Sequence, residues 1–241
     1  MERKDFIRNA SMLSLGLLGA GKVKAGDNPV EKPELIVNAG IAGNNTKNLL
    51  QRIEPDCLRH RPSLVVMMIG TNDMNHGKYV PLPKYKENLE LLSDGILKSG
   101  SQLLLMTILP FYEPYLLTRH PASFFEPEGA EGRRKAVNDA IKEIARKKQT
   151  SFLDMGALFE KVGKIGLGAD SLLRNEANTG KTDGVHPTRD GYCLMGVTIA
   201  QYCLYNHLPV QRVVCFGDSI TKGDGSIDKE SYPAYINKVL S

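Results

Sequence analysis

The sequence predicts a three-layer α/β/α sandwich built on a five-stranded parallel sheet, and three observations predict it. Short runs of consecutive apolar residues, such as Leu64 to Ile69, Leu103 to Leu109 and Val213 to Phe216, read as strands buried on both faces, because a half-exposed strand alternates apolar with polar residues. Segments with apolar residues at helical spacing separate these runs, as in a parallel sheet covered by helices. Several strands run into turns rich in Gly, Asn and Asp, at the carboxyl edge where open α/β sheets bind their ligands.

Taken in order, Leu35-Ile36-Val37 is a short strand ending at Asn38-Ala39-Gly40, and Thr46 opens a helix through about Arg59. Leu64 to Ile69 is the second strand and ends in Gly70-Thr71-Asn72-Asp73. After a loop holding Pro81 and Pro83, a helix from about Lys84 to Lys98 sets Leu89, Leu92 and Ile96 on one face. Leu103 to Leu109 is the third strand, closed by Pro110. Glu131 to Lys148 is helical, with Val137, Ile141 and Ile144 on one face, and Phe152-Leu153-Asp154 is a short fourth strand. Thr188 to about Tyr205 is a helix, Val213 to Phe216 the fifth strand, and Tyr232 to Leu240 a closing helix.

The amino end is set apart. Arg3-Lys4 and Arg8 precede a mildly apolar run from Ala10 to Ala20, and Val23-Lys24-Ala25 offers small residues at cleavage spacing. The run is too short to cross a bilayer, so residues 1–25 read as an export signal that directs the protein to the periplasm or the extracellular space. Arg-Lys followed by Phe-Ile-Arg resembles a twin-arginine signal with Lys in the second position, which leaves the route open. The leader carries five cations against two acids, so the formal charge falls from +4 to +1 once it is removed. A nearly neutral protein lacks the basic face of a nucleic-acid binder. No other apolar run approaches spanning length, so no integral membrane segment is expected after signal removal. Residues 26–241 are expected to form one domain, since no low-complexity linker divides them. Cys57, Cys193, Cys203 and Cys215 lack the spacing of a zinc or redox site, and nothing demands a disulfide. No metal or cofactor is expected, and nothing speaks to oligomeric state.

Four loops carry chemistry. The apolar run Val213 to Phe216 delivers Ser219 to the carboxyl end of a strand within Gly217-Asp218-Ser219. Asn38 to Asn45 includes Gly40 and Gly43, which let the backbone turn sharply and expose N–H groups. Asn72 brings a side-chain amide to a strand end, and Asp183-Gly184-Val185-His186 sets a carboxylate and an imidazole three residues apart.

Together these blocks resemble the SGNH hydrolases, also called the GDSL esterase family. That family is marked by Gly-Asp-Ser at the nucleophile, Gly in the second block, Gly-x-Asn-Asp in the third and Asp-x-x-His in the last. The resemblance implies a flavodoxin-like sheet and ester hydrolysis without a metal. It implies Ser219 as nucleophile, His186 as base, Asp183 as the orienting carboxylate, and an oxyanion hole from the N–H groups of Ser219 and Gly43 with the Asn72 amide. Asp218 and Asp73 are read as loop-stabilising carboxylates. The expected substrate is a small acyl ester, with acetyl on carbohydrate as the leading case. A lipase or lysophospholipase, or an inactive carbohydrate-binding remnant of a rearranged gene, is the alternative.

One departure is large, because the family carries the Gly-Asp-Ser block first and here it comes last, within 213–225. Circular permutation and a rearranged or tandem reading frame both account for it. Permutation is favoured because each block occurs once, and Pro209-Val210-Gln211 is a short join for the old ends. The reading places Val213 to Phe216 between the strands at Leu35 and Leu64, at the centre of the sheet. His60, His76, His120 and His207 are expected to face solvent, with His76 a candidate to line the pocket. The loop 111–130, with Tyr112, Tyr115, Arg119, His120, Phe124 and Phe125, is a candidate pocket wall.

Overall fold

Strands β1 (Leu35–Gly40), β2 (Leu64–Met68), β3 (Gln102–Met106), β4 (Ser151–Leu153) and β5 (Arg212–Gly217) form one parallel sheet in the order β1-β5-β2-β3-β4. This computed structural model describes residues 35–225 and 229–241, all within a unit spanning Glu31–Ser241. The expected export signal, 1–25, lies outside the described residues.

β5 sits between β1 and β2, as expected, pairing Val214 with Val37 on one side and with Val65 on the other. It is interior but second from the edge, and β2 holds the middle place. Burial explains both positions. Val213, Val214, Cys215 and Phe216 are at most 1% exposed and every residue of β2 is buried, so both faces of these strands are covered.

The cover comes from helices. α1 (Thr46–Asp56), α2 (Leu82–Lys98) and α4 (Gly129–Lys148) pack in succession, while α7 (Arg189–Tyr205) pairs with α9 (Tyr232–Leu240). In α2 the residues Leu89, Leu92 and Ile96 are all fully buried, and in α4 Val137, Ile141 and Ile144 line the inward face. Cys57, Cys203 and Cys215 are buried free thiols, and Cys193 is half-buried on α7.

Several boundaries moved for identifiable reasons. α1 ends at Asp56, one residue after Pro55, which has no N–H to continue the helical ladder. α2 begins at Leu82 because proline is tolerated in a first turn, where Pro83 stands. β3 stops at Met106, since the Ile108 N–H turns to the Asn138 side chain at 2.9 Å. Asp154 is not in a strand. It caps α5 (Met155–Val162), accepting from the Ala157 N–H. The short helices α3 (Glu113–Leu117), α6 (Glu176–Thr179) and α8 (Ser219–Lys222) lie in segments where the sequence showed no helical period.

Candidate active site

Ser219 opens α8 directly after β5. Asp218 follows the strand and caps this single turn, its Oδ1 accepting the Ile220 N–H at 2.9 Å. The turn is seated on two glycines. A β-carbon on Gly217 would lie 2.4 Å from the Met68 carbonyl oxygen, and one on Gly40 would lie 2.1 Å from the Lys222 nitrogen. Only residues without side chains let α8 press against the ends of β1 and β5 in this way. Asn38 adds a strap, donating through Nδ2 to the Lys222 carbonyl at 3.0 Å.

His186 reaches Ser219 from the other side. Its Nε2 lies 2.9 Å from Ser219 Oγ, and its Nδ1 lies 2.9 Å from both carboxylate oxygens of Asp183. The loop is shaped by backbone pairing: the Arg174 N–H donates to the His186 carbonyl at 2.9 Å, and the Gly184 N–H donates to the Arg174 carbonyl at 2.8 Å. Burial pushes the Asp183 carboxyl up. The hydrogen bond and charge of His186, with the backbone N–H groups of His186 and Val185, outweigh that and hold it at about 2. Asp183 is therefore an ionised carboxylate that orients the imidazole and favours the tautomer protonated at Nδ1, which leaves Nε2 free to accept a proton.

The loops expected to supply an oxyanion hole also meet here. Gly43 has φ +76°, a conformation that glycine adopts without penalty. The Asn72 amide donates to the Asn44 carbonyl at 2.9 Å, and the Ile41 N–H donates to the Gly217 carbonyl at 3.2 Å. Thus the turn after β1 is joined to both the β2 turn and the end of β5. Among the described residues, the N–H groups of Ser219 and Gly43 have no protein acceptor.

Asp73 and Asp218 are buried carboxylates, at 0% and 1% exposure. Asp73 Oδ1 accepts from the Thr46 N–H at 2.9 Å and from its hydroxyl at 2.5 Å, tying the β2 turn to the start of α1. Burial raises both carboxyls to about 6.

Arg52 is the site residue that sequence reasoning missed. From α1 its Nη2 donates to the Gly217 carbonyl at 2.8 Å, its Nη1 to the Ala39 carbonyl at 2.9 Å and its Nε to Asn44 Oδ1 at 2.6 Å. The guanidinium also lies 4.6 Å from the centre of the Phe216 ring. One cation thereby gathers the ends of β1 and β5 and the Gly43 loop. The signal was its spacing, since Arg52 stands beside Leu49 and Ile53 on the apolar stripe of α1, an unusual seat for a charge.

The other histidines are not uniformly exposed. His76 and His207 face solvent, but His60 is half-buried, and His120 packs against Phe125 with a buried Nδ1. The loop 111–130 lies against the Asp183 turn. The Tyr112 N–H donates to the Gly184 carbonyl at 2.8 Å, and Arg119 Nη2 to the Asp183 carbonyl at 2.6 Å. Among the described residues, no cluster of three His, Cys, Asp or Glu is suited to a metal ion, and no helix is long and apolar enough to cross a membrane.

The sequence pattern of the GDSL-like lipase/acylhydrolase family matches residues 25–194. The chain belongs to this family. The family is one of lipases and acylhydrolases, and the matched stretch ends at residue 194, before the Ser219 block. An acetylxylan esterase of Geobacillus stearothermophilus is 30% identical over 167 residues, covering 63% of this chain and 70% of that protein. The uncharacterized lipoprotein YqeF of Bacillus subtilis is 31% identical over 132 residues, or 49% of this chain, and the match spans 54% of that protein's length. A solved acetyl-xylooligosaccharide esterase from Geobacillus superposes with a TM-score of 0.52 at 26% identity, covering 68% of this chain and 69% of its own. Solved structures of the Geobacillus acetylxylan esterase include variants described as catalytic mutants at a serine, an aspartate and a histidine.

Proposed function

We propose that this chain is an exported serine esterase that removes small acyl groups, acetyl above all, from carbohydrate. The observation that carries the reading is the unbroken hydrogen-bonded series Asp183, His186, Ser219, with 2.9 Å at each step. Ser219 Oγ attacks the ester carbonyl while His186 Nε2 takes its proton. The tetrahedral oxyanion is held by the N–H groups of Ser219 and Gly43 and by the Asn72 amide. His186 then protonates the departing alkoxide, leaving an acyl-serine. Water, deprotonated by the same imidazole, releases the acid and restores Ser219.

The acetyl preference is supported by the names of the Geobacillus relatives, and export by the 1–25 pattern and the lipoprotein relative. We further read residues 26–241 as one domain with its blocks in circularly permuted order. The position of β5 between β1 and β2 favours that reading.

Purified protein lacking 1–25 should hydrolyse p-nitrophenyl acetate and acetylated xylooligosaccharides and label with a fluorophosphonate, and Ser219→Ala should lose both properties while keeping its circular dichroism spectrum. A folded wild-type protein that neither turns over nor labels would refute the esterase reading in favour of a silent carbohydrate binder.

A further inference from the structure

The loop that carries Gly43 leads into a polar groove, and we propose that this groove holds the sugar chain of a carboxylate-bearing acylated glycan. The inference rests on the esterase reading above. The groove is a shallow depression of about 460 Å³, open to solvent, that runs between α1 and the turn at 77–79. Lys47, Asn48 and Gln51 form one wall, Lys78 and Tyr79 the other. Asn45 fixes the walls to each other, its Nδ2 donating to the Lys78 carbonyl at 2.8 Å. The groove borders the oxyanion side of the site, since a β-carbon on Gly43 would lie 4.0 Å from Lys78 Cε.

The lining suits a sugar and not an acyl chain. None of its side chains is aliphatic, so a hydrocarbon tail would bury no apolar partner there. Tyr79 is 41% exposed; its ring stands perpendicular to that of Phe124 at 5.3 Å, and the Arg133 guanidinium covers one of its faces at 5.0 Å. A ring fixed in advance offers its exposed part to the C–H groups of a pyranose with little ordering cost. Among the described residues, the side chains of Lys47, Gln51 and Lys78 enter no hydrogen bond or salt bridge, and Lys47 acts on the buried Asp73 carboxylate only through its charge. An amide is thus available for sugar hydroxyls, and two ammonium groups for carboxylates.

Binding and turnover test this separately. In the first arm, Ser219→Ala protein is titrated calorimetrically with glucuronoxylan oligosaccharides and with neutral xylooligosaccharides, both acetylated. The uronate-bearing set should bind more tightly. Tyr79→Ala should weaken both about tenfold, and Lys47→Glu with Lys78→Glu should erase the difference between them. In the second arm, Tyr79→Ala in active protein should lower the ratio of kcat/KM on the acetylated glucuronoxylan oligosaccharide to that on p-nitrophenyl acetate about tenfold. Gln51→Ala, which leaves the aromatic cluster intact, should move the same ratio in the same direction. Equal affinity for the two glycans, or unchanged affinity and ratio in the Tyr79 and Gln51 variants, would overturn the proposal. If the wild type hydrolyses no ester at all, the esterase reading fails, and the titration still decides the groove.

Discussion

Replacing Gly40 by alanine should disable the site without touching any residue that does chemistry. The added methyl would lie 2.1 Å from the Lys222 nitrogen and 2.6 Å from both the Lys222 α-carbon and the Thr221 carbonyl carbon. All three are backbone atoms, so no side chain can swing away. Ordinary contact begins near 3.4 Å, and α8 must therefore retreat by about 1.3 Å. Ser219 opens that turn and holds its hydrogen bond to His186 at 2.9 Å, so a shift of this size in either direction destroys the geometry of that bond. A displacement of about 1 Å at a reacting centre costs about 100-fold in rate, and overpacking of this kind costs about 1–3 kcal/mol in stability. The assay is kcat/KM on p-nitrophenyl acetate, with urea unfolding of the same preparation to show that the variant is folded at the assay temperature. A folded Gly40→Ala protein with kcat/KM within a factor of about three of wild type would refute the argument that this glycine seats the nucleophile.

Three further outcomes are expected. Asp183, held at about 2, stays ionised from about pH 5 to 8, so its part in kcat/KM should be constant across that range and be lost only as pH falls towards 2. Asp183→Asn should cost up to about 10⁴-fold and His186→Ala at least as much, measured by initial rates; a His186→Ala enzyme of near-normal activity would require another base. Asp73, raised to about 6 by burial, penalises the folded state progressively as pH rises from the unfolded value near 3.8 towards 6, and by a constant amount above that. Asp73→Asn should accordingly gain stability relative to wild type by up to about 3 kcal/mol between pH 4 and pH 8 in denaturant titrations, and a difference independent of pH would contradict the raised carboxyl. Arg52→Met should leave the carbonyls of Ala39 and Gly217 short of a charged donor, costing about 2–4 kcal/mol and lowering kcat more than it raises KM. Unchanged kcat in a folded Arg52→Met protein would reduce the residue to a structural strap.

Much of the fold was legible because its determinants are local. Five buried strands announce themselves as apolar runs, and the blocks around Ser219, Gly43, Asn72 and His186 survive as short motifs whatever their order along the chain. What escaped notice depends on contacts between distant residues. Nothing near Gly40 in sequence foretells Lys222 behind it, and Arg52 finds the Gly217 carbonyl across 165 residues of chain. The half-burial of His120 follows from Phe125 folding back over it, which no periodicity encodes. Strand and helix ends shifted for a related reason, since single polar contacts such as Asn138 to Ile108 decide where a ladder stops.

The seat of β5 also bears on how the protein is made. Adjacent strands lie about 4.8 Å apart, so β1 and β2 must stand roughly two spacings from each other, with a slot between them, until the last strand arrives. Synthesis delivers four strands and most of the helices before it delivers Ser219. β5 pairs with partners some 150 and 177 residues earlier in the chain, as Val213 with Leu64 and Val214 with Val37, a separation that makes its docking a late and slow event. The nascent chain therefore carries Asp183, His186 and an open slot, and gains Ser219 in the same step that closes the sheet.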